Sequence, residues 1–283
     1  MTASPSKPPS KAQLAALISL LRLDHAQLHQ SARSLLTAFG DHAVPLLLKS
    51  AQSEHIATRI RSRAILRDIQ VDSLLHCFQN LDLSCIGRDS VRALFVGQEL
   101  STQMVSTFAP DSRKLFADLR SHANALRSDC DGKGFADCVE LLTDCIHHKI
   151  GLRGVVCEPL ARDHFVVGKA MECGVGAQIT LSLIYVMVAR WAGLPAKVVR
   201  VPDQFLVLVG EQRPIMVDPL LGGRVTTEGD CARAWGVSSL RELTDREVLV
   251  EHLRCLWGMA SCRSKSMIAA IAKILGDGEP STA

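Results

Sequence analysis

Gln178-Ile-Thr-Leu-Ser-Leu-Ile-Tyr-Val-Met-Val-Ala-Arg-Trp-Ala192, followed by Gly193-Leu194-Pro195, is the stretch that decides the fold. It is apolar on nearly every side, and a helix without a polar face must be buried. Gly-Leu-Pro ends it, since glycine accepts the C-terminal turn and proline cannot continue a helix. Three short Val-rich runs follow: Ala196 to Val201, Gln204 to Val209 and Pro214 to Val217, with turns at Pro202-Asp203 and Gly210-Glu-Gln. A buried helix feeding an antiparallel meander predicts an α+β domain.

Working outward, Thr244-Asp-Arg-Glu247 has capping-box spacing and opens a helix with Leu249, His252, Leu253 and Leu256 on one face. Met267 to Leu275 reads as a second helix. Upstream, Leu115, Phe116, Leu119, Ala123 and Leu126 give helical spacing over 111–126. Val139, Leu142 and Ile146 do the same over 135–147.

The N-terminal region overlays itself at a shift of 30 residues. Leu14, Leu17 and Ile18 fall on Val44, Leu47 and Leu48. His25 falls on His55, Arg33 on Arg63, Leu36 on Leu66 and Phe39 on Ile69. A fainter third copy includes Leu74, Cys77 and Phe78, and later Arg92 to Leu94. Each unit reads as a helical hairpin. Asp24 is the expected N-cap of the second helix, Leu28, Ala32, Leu35 and Phe39 its apolar stripe, and Gly40 its C-cap. A lone hairpin cannot bury its apolar face, so such units must stack. The pattern resembles short HEAT-like repeats over 10–97, which implies an α-solenoid with a binding surface, usually for protein. Arg59, Arg61, Arg63 and Arg67 crowd one helix, either as a solvated face or as a contact for an acidic partner.

Composition narrows the function classes. Of 283 residues, 47% are hydrophobic and 22% charged, which fits a folded globular chain. A net charge of +3 argues against a mainly electrostatic nucleic-acid binder. No apolar run is long enough to span a membrane. The Ser/Pro-rich start lacks the apolar core of a secretory signal. Ten cysteines without a CxxC pair, in that context, predict a reduced cytoplasmic pool of buried thiols rather than a disulfide framework.

Five blocks resemble a known family in order and spacing. They are Gly176 to Tyr185, Val188 to Pro195, Val201 to Leu206, Val217-Asp-Pro-Leu-Leu-Gly-Gly-Arg224, and Thr244 to Leu256. Together they are similar to the SirB-type transglutaminase-like family, a shortened papain-like transglutaminase core, over about 98–278. The resemblance implies a thiol nucleophile at the start of the buried helix, a histidine on a nearby strand and an acid to orient it. Those positions fall on Gln178, Gln204 and Asp218. An amide is neither a thiolate nor a base near neutral pH, so no catalytic residue is expected there. A hydrogen bond between the two amides would satisfy them without chemistry.

Other side chains are candidates beside these. Cys173 could approach the same cleft as an alternative nucleophile, with His164 or His147-His148 as the base; Cys157 is a weaker candidate. Cys130, Cys138, Cys145, His147 and His148 cluster in sequence without the spacing of a zinc site. Asp129 to Glu140 has the ends of a calcium loop but not its intermediate ligands, and reads as a turn. Gly222-Gly223 reads as a tight turn after Asp218. Tyr185, the one tyrosine, falls inside the buried helix, where its hydroxyl needs a partner.

The expected organisation is a disordered tail at 1–9, HEAT-like repeats at 10–97, a transglutaminase-like domain at 98–278 and a tail at 279–283. The expected function is non-catalytic interaction or regulation through a degenerate cleft, with Gln178, Gln204, Asp218, Tyr185, Arg59 and Arg63 as binding residues. The alternative is a thiol-dependent hydrolase or amide-transfer enzyme using Cys173. No cofactor or metal is expected, a protein or peptide partner is, and oligomeric state is open.

Overall fold

The computed structural model describes residues 8–83, 90–103, 112–156, 160–202, 204–236, 240–258 and 262–276. Nearly all of the expected N-terminal tail, the whole C-terminal tail and Cys157 lie outside them. The chain divides into two compact units, Met1–Cys77 and Phe78–Ala283.

The first unit holds α1 (Lys11–Leu20), α2 (Ala26–Ala38), α3 (Val44–Ser50) and most of α4 (Ile56–Gln79). Ser10 and Gln13 form a reciprocal capping box on α1. The N-cap of α2 is His25, not Asp24: its Nδ1 accepts from the Leu28 amide at 3.4 Å. Thirty residues on, His55 Nδ1 accepts from the Thr58 amide at 3.3 Å, so the repeat recurs as a capping device. Asp24 is instead taken by Arg61, which also donates to the carbonyls of Leu21 and Leu23.

The stripe expected on α2 is rotated. Ala32 and Leu36 are buried with Leu14, Leu21, Leu47, Ile65 and Ile69, while Leu28 and Leu35 are 41% and 48% exposed. Small Ala32 permits close approach at this face, and Arg33 beside it is held by Asp68 of α4 at 2.7–2.8 Å. Phe39 caps α2, and Gly40, at φ +51°, starts a 3₁₀ turn. Part of the faint third copy, residues 84–89, lies outside the described residues. Leu74, Cys77 and Phe78 close the single 24-residue helix α4, and Arg92 to Leu94 fall in a helix of the second unit.

That unit begins with α5 (Ser90–Gln103), α6 (Ser112–Cys130) and α7 (Phe135–Asp144), the last running into a π-helical turn at Cys145–Lys149. Strands β1 (Arg153–Gly154) and β2 (Val175–Gly176) pair in parallel around α8 (Val167–Cys173). Then comes α9 (Gln178–Ala192), every residue of which is buried except Gln178. The meander β3 (Ala196–Val201), β4 (Gln204–Val209), β5 (Ile215–Asp218) and β6 (Arg224–Thr226) is antiparallel throughout. After α10 (Glu228–Trp235), β7 (Arg241–Leu243) adds to the free side of β3, giving the order β6-β5-β4-β3-β7. Helices α11 (Asp245–Trp257) and α12 (Cys262–Ile274) close the unit, α11 opening on the Thr244–Glu247 capping box.

One face of the sheet packs Val199, Val201, Leu206 and Met216 around Cys231 of α10. The cross-strand row Val198, Val207 and Val217 lies on the other face, where β3 and β4 pack on α9. α9 is therefore sandwiched between the sheet and α6, which explains its all-round apolar sequence. Its one cation, Arg190, is held through two nitrogens: Nε donates to the Ala196 carbonyl (2.9 Å), and Nη1 to Ser90 (2.8 Å) and Asp245 (2.7 Å). No described helix is long and apolar enough to cross a membrane.

Candidate functional site

Gln178 is the first residue of α9, and the strands fold back so that β4 and β5 reach that helix end. Its Nε2 donates to Asp218 Oδ1 at 3.2 Å, and its Oε1 accepts from the Phe205 amide at 3.1 Å. One side chain thus ties the start of α9 to two strands. Asp218 is buried, and the same Oδ1 accepts from the backbone amides of Leu220 (2.8 Å) and Leu221 (3.4 Å). A carboxylate so placed holds the turn after β5, and its charge is favourable at a helix N-terminus.

Gln204 does not join this arrangement by a hydrogen bond. It pairs across the ladder with Val201, and alternation along β4 puts it on the face with Leu206, covered by α10. Its Oε1 is buried without a partner among the described residues. The Gln178 amide pairs instead with Asp218 and the Phe205 amide. Neither amide can carry a proton between reactants at neutral pH.

Two turns into α9, Tyr185 is fully buried, and burial raises its hydroxyl above the ordinary range. The hydroxyl lies against Thr143 and Gly223, and Thr143 is the one side chain placed to pair with it among the described residues. The His147 ring sits 5.6 Å from the Tyr185 ring. His147 Nδ1 donates to the Leu152 carbonyl at 2.7 Å, its Nε2 is buried and unpartnered, and burial lowers its pKa. Thr143, His147 and Gly223 carried no sequence signal as neighbours of Tyr185. They come from α7, the π turn and the β5–β6 turn, and only the chain path joins them.

Cys173 is exposed on the last residue of α8. Of its proposed bases, His164 uses Nδ1 to accept from the Ala161 amide, and His147 donates from Nδ1 to the Leu152 carbonyl with its ring packed beside Tyr185. Among the described residues, no three His, Cys, Asp or Glu side chains converge as a metal site, and Asp129 pairs with Lys149 at 2.8 Å. On α4, Arg59 donates to the Ser53 carbonyl while Arg63 is exposed. Ile56 and Ile60, on the same outward stripe, are 62% and 58% exposed.

No curated protein is similar enough to this chain to match it. Residues 113–252 match the family model described as the transglutaminase-like superfamily, a span that runs from α6 to α11 and holds Gln178, Tyr185, Gln204 and Asp218. The second unit of this chain carries a transglutaminase-like domain.

Proposed function

We propose that the transglutaminase-like domain is catalytically silent and that the chain acts by binding, as an interaction or regulatory protein. The observation that carries this reading is the state of Gln178. Where a thiolate would be needed, an amide has both ends committed, to Asp218 and to the Phe205 amide. Gln204, at the expected histidine position, lies in the row facing α10 and makes no bond to either. The SirB-type resemblance over 98–278 fits a core that keeps its architecture after losing this chemistry. The repeated His25 and His55 caps support the HEAT-like reading of 10–97. The exposed Ile56, Ile60 and Arg63 on α4 supply a mixed apolar and basic face of the kind that binds protein, and a cytoplasmic setting suits the cysteine content.

The test is turnover. The purified chain is incubated with a glutamine-containing peptide, with and without a primary amine, and deamidation, amine incorporation and peptide cleavage are followed by mass spectrometry. No product above a heat-inactivated control is expected. Product formation that disappears in Gln178→Ala or Cys173→Ala would overturn the silent reading, and the second substitution would identify the thiol enzyme.

A further inference from the structure

Along α4 one stripe stays outside the core at i, i+4, i+7 and i+11: Ile56, Ile60, Arg63 and Arg67. It covers about 16 Å of helix. Ile56 and Ile60 are 62% and 58% exposed. They are neighbouring branched apolar side chains in water, where the first hairpin, thirty residues earlier, has Ala26 and Gln30. Arg63 and Arg67 follow them and are exposed. Arg67 Nε donates to the Arg63 carbonyl of its own helix at 3.1 Å, and among the described residues neither guanidinium meets a carboxylate. The first hairpin shows what such an arginine takes. Arg33, which the thirty-residue register matches to Arg63, is held by Asp68 of the helix packed against it at 2.7–2.8 Å. The same step from Asp68 arrives at Gln98, a fully buried amide. The register therefore provides no carboxylate for Arg63.

We propose that this stripe of α4 docks an acidic amphipathic helix of a partner protein. Apolar side chains of that helix cover Ile56 and Ile60, and its carboxylates pair with Arg63 and Arg67 as Asp68 pairs with Arg33. The inference rests on the binding reading above and names the class of partner for it. Two isoleucines gain by leaving water, which supplies affinity. Two arginines without carboxylates of their own favour negative charge and reject a basic helix of the same shape. Nucleic acid would use the arginines but leave both isoleucines in water, so the apolar half of the stripe favours a protein.

The experiment is fluorescence anisotropy of the full chain with three labelled peptides: four Glu-Ala-Leu-Leu repeats, the same composition in scrambled order, and four Lys-Ala-Leu-Leu repeats. A labelled thymidine oligonucleotide tests the nucleic-acid reading. The glutamate repeat is expected to bind about tenfold tighter than the other probes, with affinity falling as salt is raised. The double variant Arg63→Glu/Arg67→Glu should weaken that binding about tenfold or more and transfer the preference to the lysine repeat. Ile56→Ser/Ile60→Ser should weaken it about tenfold as well. All four side chains are exposed, so these changes spare the core, and circular dichroism checks each variant. Absence of binding by the glutamate repeat at millimolar concentration overturns the proposal. So does equal binding of the scrambled peptide, binding of the oligonucleotide in place of the peptide, or binding unchanged in either double variant. The readout is binding and not turnover, so loss of this partner class and loss of the silent reading are separate results.

Discussion

His252 shows how one buried ring can govern behaviour in acid. It is completely enclosed on α11, its Nε2 donates to the Phe165 carbonyl at 2.8 Å, and its Nδ1 has no partner among the described residues. Burial lowers its pKa from 6.5 to about 4. Above pH 6.5 the ring is neutral in the folded and unfolded chain, and it contributes no pH dependence. Between pH 6.5 and about 4 the unfolded chain takes up a proton that the folded chain refuses, so stability falls as pH falls. The loss over that window is about 3 kcal/mol. Urea unfolding at pH 7 and pH 4.5 should show it, and His252→Gln should flatten the difference. An equal loss in the variant would mean that other groups carry it. Sequence pattern placed His252 correctly on a buried face, because i, i+3, i+4 spacing with Leu249 and Leu256 is a local property. The bond to Phe165 joins residues 87 apart and had no local signature.

At the scale of elements, the paired glycines after β5 separate two costs usually counted together. Gly222 and Gly223 both have positive φ, +69° and +75°. A Cβ on Gly222 would meet nothing within 4 Å, whereas one on Gly223 would lie 2.4 Å from Thr143 and from the Tyr185 hydroxyl. Gly222→Ala should cost about 1 kcal/mol, for backbone conformation alone. Gly223→Ala should cost about 3 kcal/mol, since it also overpacks the interior. Thermal unfolding of the two variants tests this, and equal losses would refute the close contact. The sequence identified the turn but not this asymmetry, which depends on what α7 and α9 bring behind it. Strands β3 and β4 and helix α9 were legible to the residue, because hydrophobic pattern, Gly-Leu-Pro and Pro-Asp mark their ends. Cap identity and face were less so on α2, where His25 displaced Asp24 and Leu36 displaced Leu35. Both choices depend on Arg61 and Asp68 of α4, more than 30 residues away.

For the molecule as a whole, the distribution of thiols gives a direct check on chemistry. Cys77 and Cys173 are exposed, while Cys138, Cys145 and Cys231 are buried. Burial pushes Cys255 up to about 12 and raises Cys145 and Cys231. Cys130 is raised by burial and by Cys138 beside it. Alkylation of the native protein at pH 7, read by peptide mass spectrometry, should therefore reach Cys77 and Cys173 first, since both are exposed. Cys130, Cys145, Cys231 and Cys255, with Cys138, should react only after denaturation. Rapid labelling of Cys173 well below pH 8 would favour the thiol-enzyme reading. Arg190 carries a different consequence at this scale. Its two side-chain partners, Ser90 and Asp245, stand 100 residues before it and 55 after it. During synthesis Ser90 and the Ala196 carbonyl are within reach of Arg190 early, but the carboxylate that pairs with it, Asp245, is made only when α11 begins. Nascent chains that stop short of residue 245 cannot bury α9 without stranding a charge, so this domain must be completed before it is committed, and its half-made forms are the ones that need protection from aggregation.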